Sequence, residues 1–249
     1  MAYTEQFVTS TNKWSNKTFS FTTTRSSDFQ FENGEFVTLG LRSEGKLIAR
    51  AYSIVSTNDA DHLEFLSIHV HDGPLTSRLV NVREGEGVWI NSKATGTLTL
   101  KNLQPGRNLY MLATGTGLAP FMSLIRDPEV YLRFENVILV HTVRTHHELA
   151  YREQIEALAS DSLYYVPTVT REPFEIAQRG ADLFRSGALF TRLGIAPADP
   201  EFDRVMLCGN PQMILEMTGY LEASGWVMSN YKGVGTFTVE KAFALHHND

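Results

Sequence analysis

Apolar and polar residues alternate in short bursts over the first hundred positions. Phe19-Ser20-Phe21-Thr22 repeats every second residue, the period at which a half-buried strand shows one face to a core. Asn33-Gly34 marks a turn, and strand-like runs follow at 35–40, 50–56, 63–70, 87–91 and 97–100. Their spacing predicts an antiparallel barrel or sandwich. Phe19, Phe21, Phe29, Phe31 and Phe36 are its expected core, and Gly73-Pro74-Leu75-Thr76-Ser77-Arg78-Leu79 predicts a short helix capped by Thr76 or by the preceding turn.

After Leu103-Gln104-Pro105-Gly106 the rhythm changes. Strand-like runs at 109–113, 137–143, 163–169 and 204–208 alternate with helical stretches at 119–126, 147–160 and 212–224. Such alternation predicts a parallel sheet with helices on both faces. The expected architecture has two domains: an antiparallel β-barrel over 1–102, then an α/β Rossmann-like parallel-sheet domain over 103–249.

The join between the first strand and first helix of that second domain is the most telling stretch. Gly115-Thr116-Gly117-Leu118-Ala119-Pro120 closes an apolar strand with a glycine-rich turn and opens a helix. Glycine lets a backbone approach a bulky anion, and proline is tolerated in a first helical turn because the amides there have no intrahelical partner. Free amides with a helix dipole behind them suit a pyrophosphate. Tight packing between strand and helix calls for the same glycines, so the turn alone leaves both readings open.

Composition narrows the field. A formal net charge of −6 argues against a general nucleic-acid binder. Apolar runs fall far short of the roughly 20 residues that a membrane helix needs. The N-terminus lacks a basic segment followed by an apolar stretch, so no secretory signal is expected, and the cytoplasm is the expected compartment. Cys208 is the single cysteine, which excludes an internal disulfide and an all-cysteine metal or iron–sulfur site. His69 and His71 alternate along a strand, and His146-His147-Glu148 opens like a zinc signature with Tyr151 where the second histidine belongs. No metal is expected.

Arg50-Ala51-Tyr52-Ser53 offers a guanidinium suited to a phosphate and a ring suited to a flat cofactor, although a plain strand with one buried tyrosine reads the same. The order of motifs is more informative. Arg50-Ala51-Tyr52-Ser53, Gly73 to Leu79, Gly115 to Pro120, and Cys208-Gly209-Asn210-Pro211 together resemble the ferredoxin–NADP reductase superfamily over nearly the whole chain. Glu148-Leu149-Ala150-Tyr151 and Val239-Glu240-Lys241-Ala242-Phe243 look most similar to the bacterial ferredoxin (flavodoxin)–NADP reductases.

The resemblance implies an FAD-binding barrel at 1–102 and an NADP-binding domain at 103–249 whose tail returns to the flavin. Arg50 would hold the FAD pyrophosphate, Tyr52 would stack on the flavin, and Ser53 would approach N5. Ala51 belongs to the same strand motif, Ile54 and residues 67–70 would give main-chain contacts, and Thr76 with Ser77 would complete the phosphate site. Gly115, Thr116 and Gly117 would receive the NADP pyrophosphate. Cys208 and Gly209 would border the nicotinamide, with Glu240 beside them. Ala242 would lie near the flavin and Phe243 on the FAD adenine. The FAD would be non-covalent, because no cysteine or histidine falls within the flavin motif.

Coenzyme choice has its own signal. Arg144 follows the 137–143 strand where a Rossmann-like domain reads the adenosine ribose, and an NAD site would place Asp or Glu near there. Arg171 and Arg179 follow. Each alone is equally well a solvated surface residue; in the resembled family such arginines clasp the 2′-phosphate, and Tyr151 would stack on the adenine. The implied function is electron transfer between NADPH and a ferredoxin or flavodoxin by a monomeric enzyme. Two alternatives are the reductase component of an oxygenase and a non-catalytic flavin-binding electron-transfer subunit.

Overall fold

The structure, a computed structural model, describes residues 2–230 and 232–241. Ala242 and Phe243 therefore lie outside the described residues. Six antiparallel strands come first: β1 (Tyr3–Lys13), β2 (Thr18–Thr24), β3 (Phe36–Ser43), β4 (Lys46–Ser53), β5 (His62–Ile68) and β6 (Gly87–Asn91), in the order β4-β3-β6-β1-β2-β5. The outer strands meet where Ile54 bridges to Phe65 and the Val55 amide donates to Glu64 O at 2.9 Å. The sheet thus curls into a barrel and covers its own edges.

Phe19, Phe21, Phe29 and Phe31 fill the barrel as expected, with Val37, Leu39, Leu63 and Phe65. Phe36 is only half-buried, because its neighbour Val37 takes the inward position on β3. Residues 97–100 form no strand; Leu98 and Leu100 instead turn inward against the second domain, and a 3-10 turn follows at Leu100–Asn102. Between β5 and β6 lies the one-turn helix α1 (Thr76–Leu79). Leu75 stands at its cap position and gives no side-chain cap bond. Thr76 Oγ1 is engaged elsewhere, with the main chain of Val70.

The second sheet is parallel throughout: β7 (Asn108–Thr114), β8 (Asn136–Val143), β9 (Leu163–Val169), β10 (Arg204–Gly209) and β11 (Phe237–Lys241), in the order β11-β10-β7-β8-β9. Its helices are α2 (Ala119–Ile125), α3 (Pro128–Arg133), α4 (Arg152–Leu158), α5 (Gly180–Ser186), α6 (Ala188–Leu193) and α7 (Pro211–Ala223). From β7 the chain winds one way to β8 and β9, then the other way to β10 and β11. The carboxyl ends of β7 and β10 therefore flank a switch point, where open α/β sheets place ligands. The helix expected over 147–160 is broken: a 3-10 turn (His146–Glu148) precedes α4, and Tyr151 between them adopts φ 60°, ψ 10°.

The two sheets share one apolar layer. Leu118, Phe121 and Met122 of the second domain cluster with Val55, Leu66, Leu98 and Leu100 of the first. Buried polar groups reinforce it: Ser123 Oγ lies 2.9 Å from both Asn33 Oδ1 and Ser56 O, and Asn33 Nδ2 donates to Asp127 at 2.7 Å. No described helix is long and apolar enough to cross a membrane.

Candidate active site

The end of β4 presents the first group of expected residues. Arg50 and Ala51 are exposed, and Arg50 Nη1 donates to Ala49 O at 2.7 Å, which steadies a guanidinium still open to solvent. Tyr52 crosses the sheet, its hydroxyl 3.2 Å from Ser67 Oγ and its ring edge-on to Phe65. Burial pushes the Tyr52 phenol above its ordinary range. The Ile54 side chain is fully buried, so only main chain remains there for an outside contact. Thr76 and Ser77 both spend their hydroxyls within the 70–77 loop, Thr76 on Val70 and Ser77 on Gly73 O at 2.7 Å.

Beyond Tyr52 the two domains touch through a short polar chain. Ser53 Oγ donates to Glu240 Oε1 at 2.5 Å. Glu240 stands on β11 directly beside Cys208 on β10. Its other oxygen, Oε2, is sealed from solvent and has no hydrogen-bond partner among the described residues. Burial raises this carboxyl to about 7, against the opposing effect of the Ser53 bond. Burial also pushes the Cys208 thiol well up, and Glu240 adds to the shift. A fully buried, protonated thiol is a poor nucleophile.

Gly209 and Asn210 carry this junction to the glycine turn. Gly209 sits at φ 141°, and a Cβ there would fall 2.0 Å from Thr114 Oγ1. A Cβ on Gly117 would fall 2.4 Å from Cys208 O. The loops after β7 and β10 can therefore lie together only because both positions are glycine. The Asn210 amide closes the contact by donating to Thr114 Oγ1 at 2.6 Å. Gly115, at φ 54°, faces open space instead. Beneath it His141 is buried, and burial pushes its imidazole down to about 4. Neutral His141 therefore carries its proton on Nε2, donating to Gly115 O at 3.1 Å.

A cavity of about 570 Å³ opens from that turn. Gly115 and Thr116 line it together with Arg144, Arg171 and Arg179, so the three arginines converge there. Local bonds hold two of them: the Arg171 amide donates to Arg144 O at 2.9 Å, and the Arg144 amide donates to Glu148 Oε2 at 3.0 Å. Lys17, Thr18 and His69 complete the cavity from the barrel side. No local motif marks these three, nor His141, because each acquires its place through packing between distant segments.

Tyr151 departs from expectation. Its side chain is 1% exposed and does not line the cavity. It packs on Trp14 at 4.4 Å between ring centroids and donates to Glu64 Oε1 at 2.7 Å. With both faces buried, the ring has no surface on which an adenine could stack.

Known proteins place this arrangement. Residues 7–98 match the oxidoreductase FAD-binding domain and residues 111–218 the oxidoreductase NAD-binding domain. A ferredoxin–NADP reductase of Azotobacter vinelandii is 49% identical over 248 residues, covering 95% of this chain and 96% of that protein. A flavodoxin/ferredoxin–NADP reductase of Rhodobacter capsulatus is 45% identical, covering 96% of this chain and 92% of that protein. The chain belongs to the ferredoxin–NADP reductase family. A crystal structure of a family member from Neisseria gonorrhoeae, with bound FAD and NADP, matches at a TM-score of 0.92 and 30% identity, over 98% of this chain and 100% of that one. Within the family frame, the first matched segment falls on the barrel and the second runs from β7 into α7.

Proposed function

We propose that the chain is an FAD-dependent reductase moving electrons between NADPH and a one-electron carrier protein, a ferredoxin or a flavodoxin. The observation that carries this reading is the continuous run of contacts from the arginine-lined cavity to the domain junction. Asn210 lines the cavity and bonds Thr114, Gly209 and Cys208 follow, and Cys208 adjoins Glu240, which bonds Ser53 of the barrel. A nucleotide anchored at the arginines would have its far end at the barrel's tyrosine strand.

The residues of that strand fit a flavin dinucleotide. Arg50 offers an exposed guanidinium for its pyrophosphate, Tyr52 a ring for its flat system, and Ser53 a hydroxyl for its edge; Glu240 Oε2 is a buried polar atom without a partner among the described residues. When bound, FAD takes two electrons as hydride and yields them singly. The chain's own task is placement. Arg144, Arg171 and Arg179 would hold the 2′-phosphate, the amides of Gly115, Thr116 and Gly117 would hold the pyrophosphate, and Cys208 with Gly209 would border the nicotinamide. Glu240 can hold a proton near neutrality and Ser53 Oγ can relay it.

A steady-state assay with purified ferredoxin and flavodoxin as acceptors, comparing NADPH with NADH, tests the reading. Reduction of at least one carrier with NADPH strongly preferred is expected. Turnover with neither carrier, or equal use of NADH, would count against it.

A further inference from the structure

Tyr151 is buried, oriented and backbone-strained in a way that the coenzyme cavity does not explain. Its φ of 60° is uncommon for a residue with a bulky side chain, and such a conformation persists only where its surroundings over-determine it. Its aromatic partner and its hydrogen-bond acceptor come from the other domain. Trp14, in the turn between β1 and β2, covers the ring, and Glu64 on β5 accepts the phenol proton. The second oxygen of Glu64 pairs with Arg126 at 3.2 Å, just past α2, and Arg126 Nη2 donates to Gln154 on α4 at 2.9 Å. Tyr151, Glu64, Arg126 and Gln154 thus form one polar chain that crosses between the domains.

The segment that ends at Tyr151 begins at the cavity. Arg144, Glu148 and Ala150 all line it, and a capping box at Thr145 and Glu148 stiffens the stretch between them. Arg171 travels with Arg144 through their main-chain bond. The arginine loop is therefore rigid within itself, fixed to β8 at one end and to the barrel at the other.

We infer that Tyr151 is a positioning residue: its bond to Glu64 sets the register between the arginine loop and the flavin-binding barrel. The inference rests on the function proposed above. Losing the bond leaves the arginines clustered but lets the cluster drift relative to the barrel. Recognition of the 2′-phosphate then survives, while the far end of the coenzyme loses its alignment. A displacement of about 1 Å can cost on the order of 100-fold in rate, so a partial drift is expected to cost about tenfold.

The test uses the FAD-loaded enzyme and the variants Tyr151→Phe, Glu64→Ala, Glu64→Gln and the Tyr151→Phe/Glu64→Ala double. Flavin reduction at saturating NADPH and at saturating NADH is followed by anaerobic stopped flow, and affinity for 2′-phospho-AMP by calorimetry. In Tyr151→Phe both reduction rates are expected to fall about tenfold together, with 2′-phospho-AMP affinity within about twofold of wild type. Glu64→Ala, which also takes the carboxylate from Arg126, should be at least as slow, the double variant should be no slower than Glu64→Ala, and Glu64→Gln, which keeps an acceptor oxygen, should stay near wild type. Should Tyr151→Phe fail to fold, the contrast between Glu64→Ala and Glu64→Gln carries the same test. Wild-type rates in Tyr151→Phe or Glu64→Ala, a parallel loss of 2′-phospho-AMP affinity, or a Glu64→Gln rate as low as Glu64→Ala would overturn the inference. A wild-type enzyme whose flavin NADPH does not reduce would overturn the parent reading before any variant is compared.

Discussion

Glu240 keeps one oxygen on Ser53 and the other out of reach of water, and its proton is correspondingly hard to remove. The folded carboxyl titrates at about 7 against an ordinary 4.5. A group that binds its proton more tightly when folded makes stability fall as pH rises between the two values. His141, pushed down to about 4 from 6.5, acts in the opposite sense, losing stability as pH falls through that range. Comparing Glu240→Gln with wild type cancels the histidine. The variant's Tm should gain on wild type from pH 4.5 to 7 and then hold level. Flavin reduction in wild type should show an apparent pKa of about 7 that Glu240→Gln lacks. The arginines make a separable prediction. Arg144→Ala and Arg171→Ala should each lower the preference for NADPH over NADH by about 10- to 150-fold, the loss of one charged hydrogen bond. Equal losses with both coenzymes would make these residues structural. The convergence of the three arginines on one cavity is legible in the sequence only through their order, which follows a family pattern. Tyr151 is harder to read: its motif is visible in the sequence, but the burial that decides its partner comes from Trp14 and Glu64 in a different domain.

The glycine turn shows how little tolerance an element can have. Gly117→Ala would set its methyl 2.4 Å from a backbone oxygen of Cys208, which cannot swing away as a side chain could. A destabilisation of about 1–3 kcal/mol and slower reduction by NADPH are expected. Gly115→Ala meets no atom of the described residues, only an unfavourable φ of 54°, so about 1–2 kcal/mol is expected together with a raised KM for NADPH. Chemical denaturation and steady-state kinetics check both; equal behaviour of the two variants would contradict the close approach of the β7 and β10 loops. The strands β2, β6, β7, β8, β9 and β10 were legible because apolar residues repeat at strand spacing or run unbroken. β1 was not, since only Gln6 and Val8 of its eleven residues are buried. α4 was read too long because residues 147–160 look helical throughout, whereas packing turns the chain left-handed at Tyr151.

At the scale of the molecule, the site exists only while the barrel and the parallel sheet stay in one arrangement. Ser53 and Glu240 belong to different sheets, and Asn33 and Asp127 to different domains. Asn33 also accepts from the Asn58 amide at 2.8 Å, so removing it takes a partner from Ser123, Asp127 and Asn58 at once. Asn33→Ala should cost about 1–3 kcal/mol, and both domains should still unfold in a single transition. Separate transitions for barrel and sheet would show that the shared layer does not couple them. A two-part architecture could be read from the change of rhythm along the chain, but not how its parts meet, because those contacts join residues with no sequence proximity. The most direct measurement is anaerobic stopped-flow absorbance of the FAD-loaded enzyme mixed with NADPH and then with oxidised ferredoxin or flavodoxin. Flavin colour is expected to bleach with NADPH, far more slowly with NADH, and to return when the carrier is added. Colour that NADPH leaves untouched, or that no carrier restores, would contradict electron transfer through this junction.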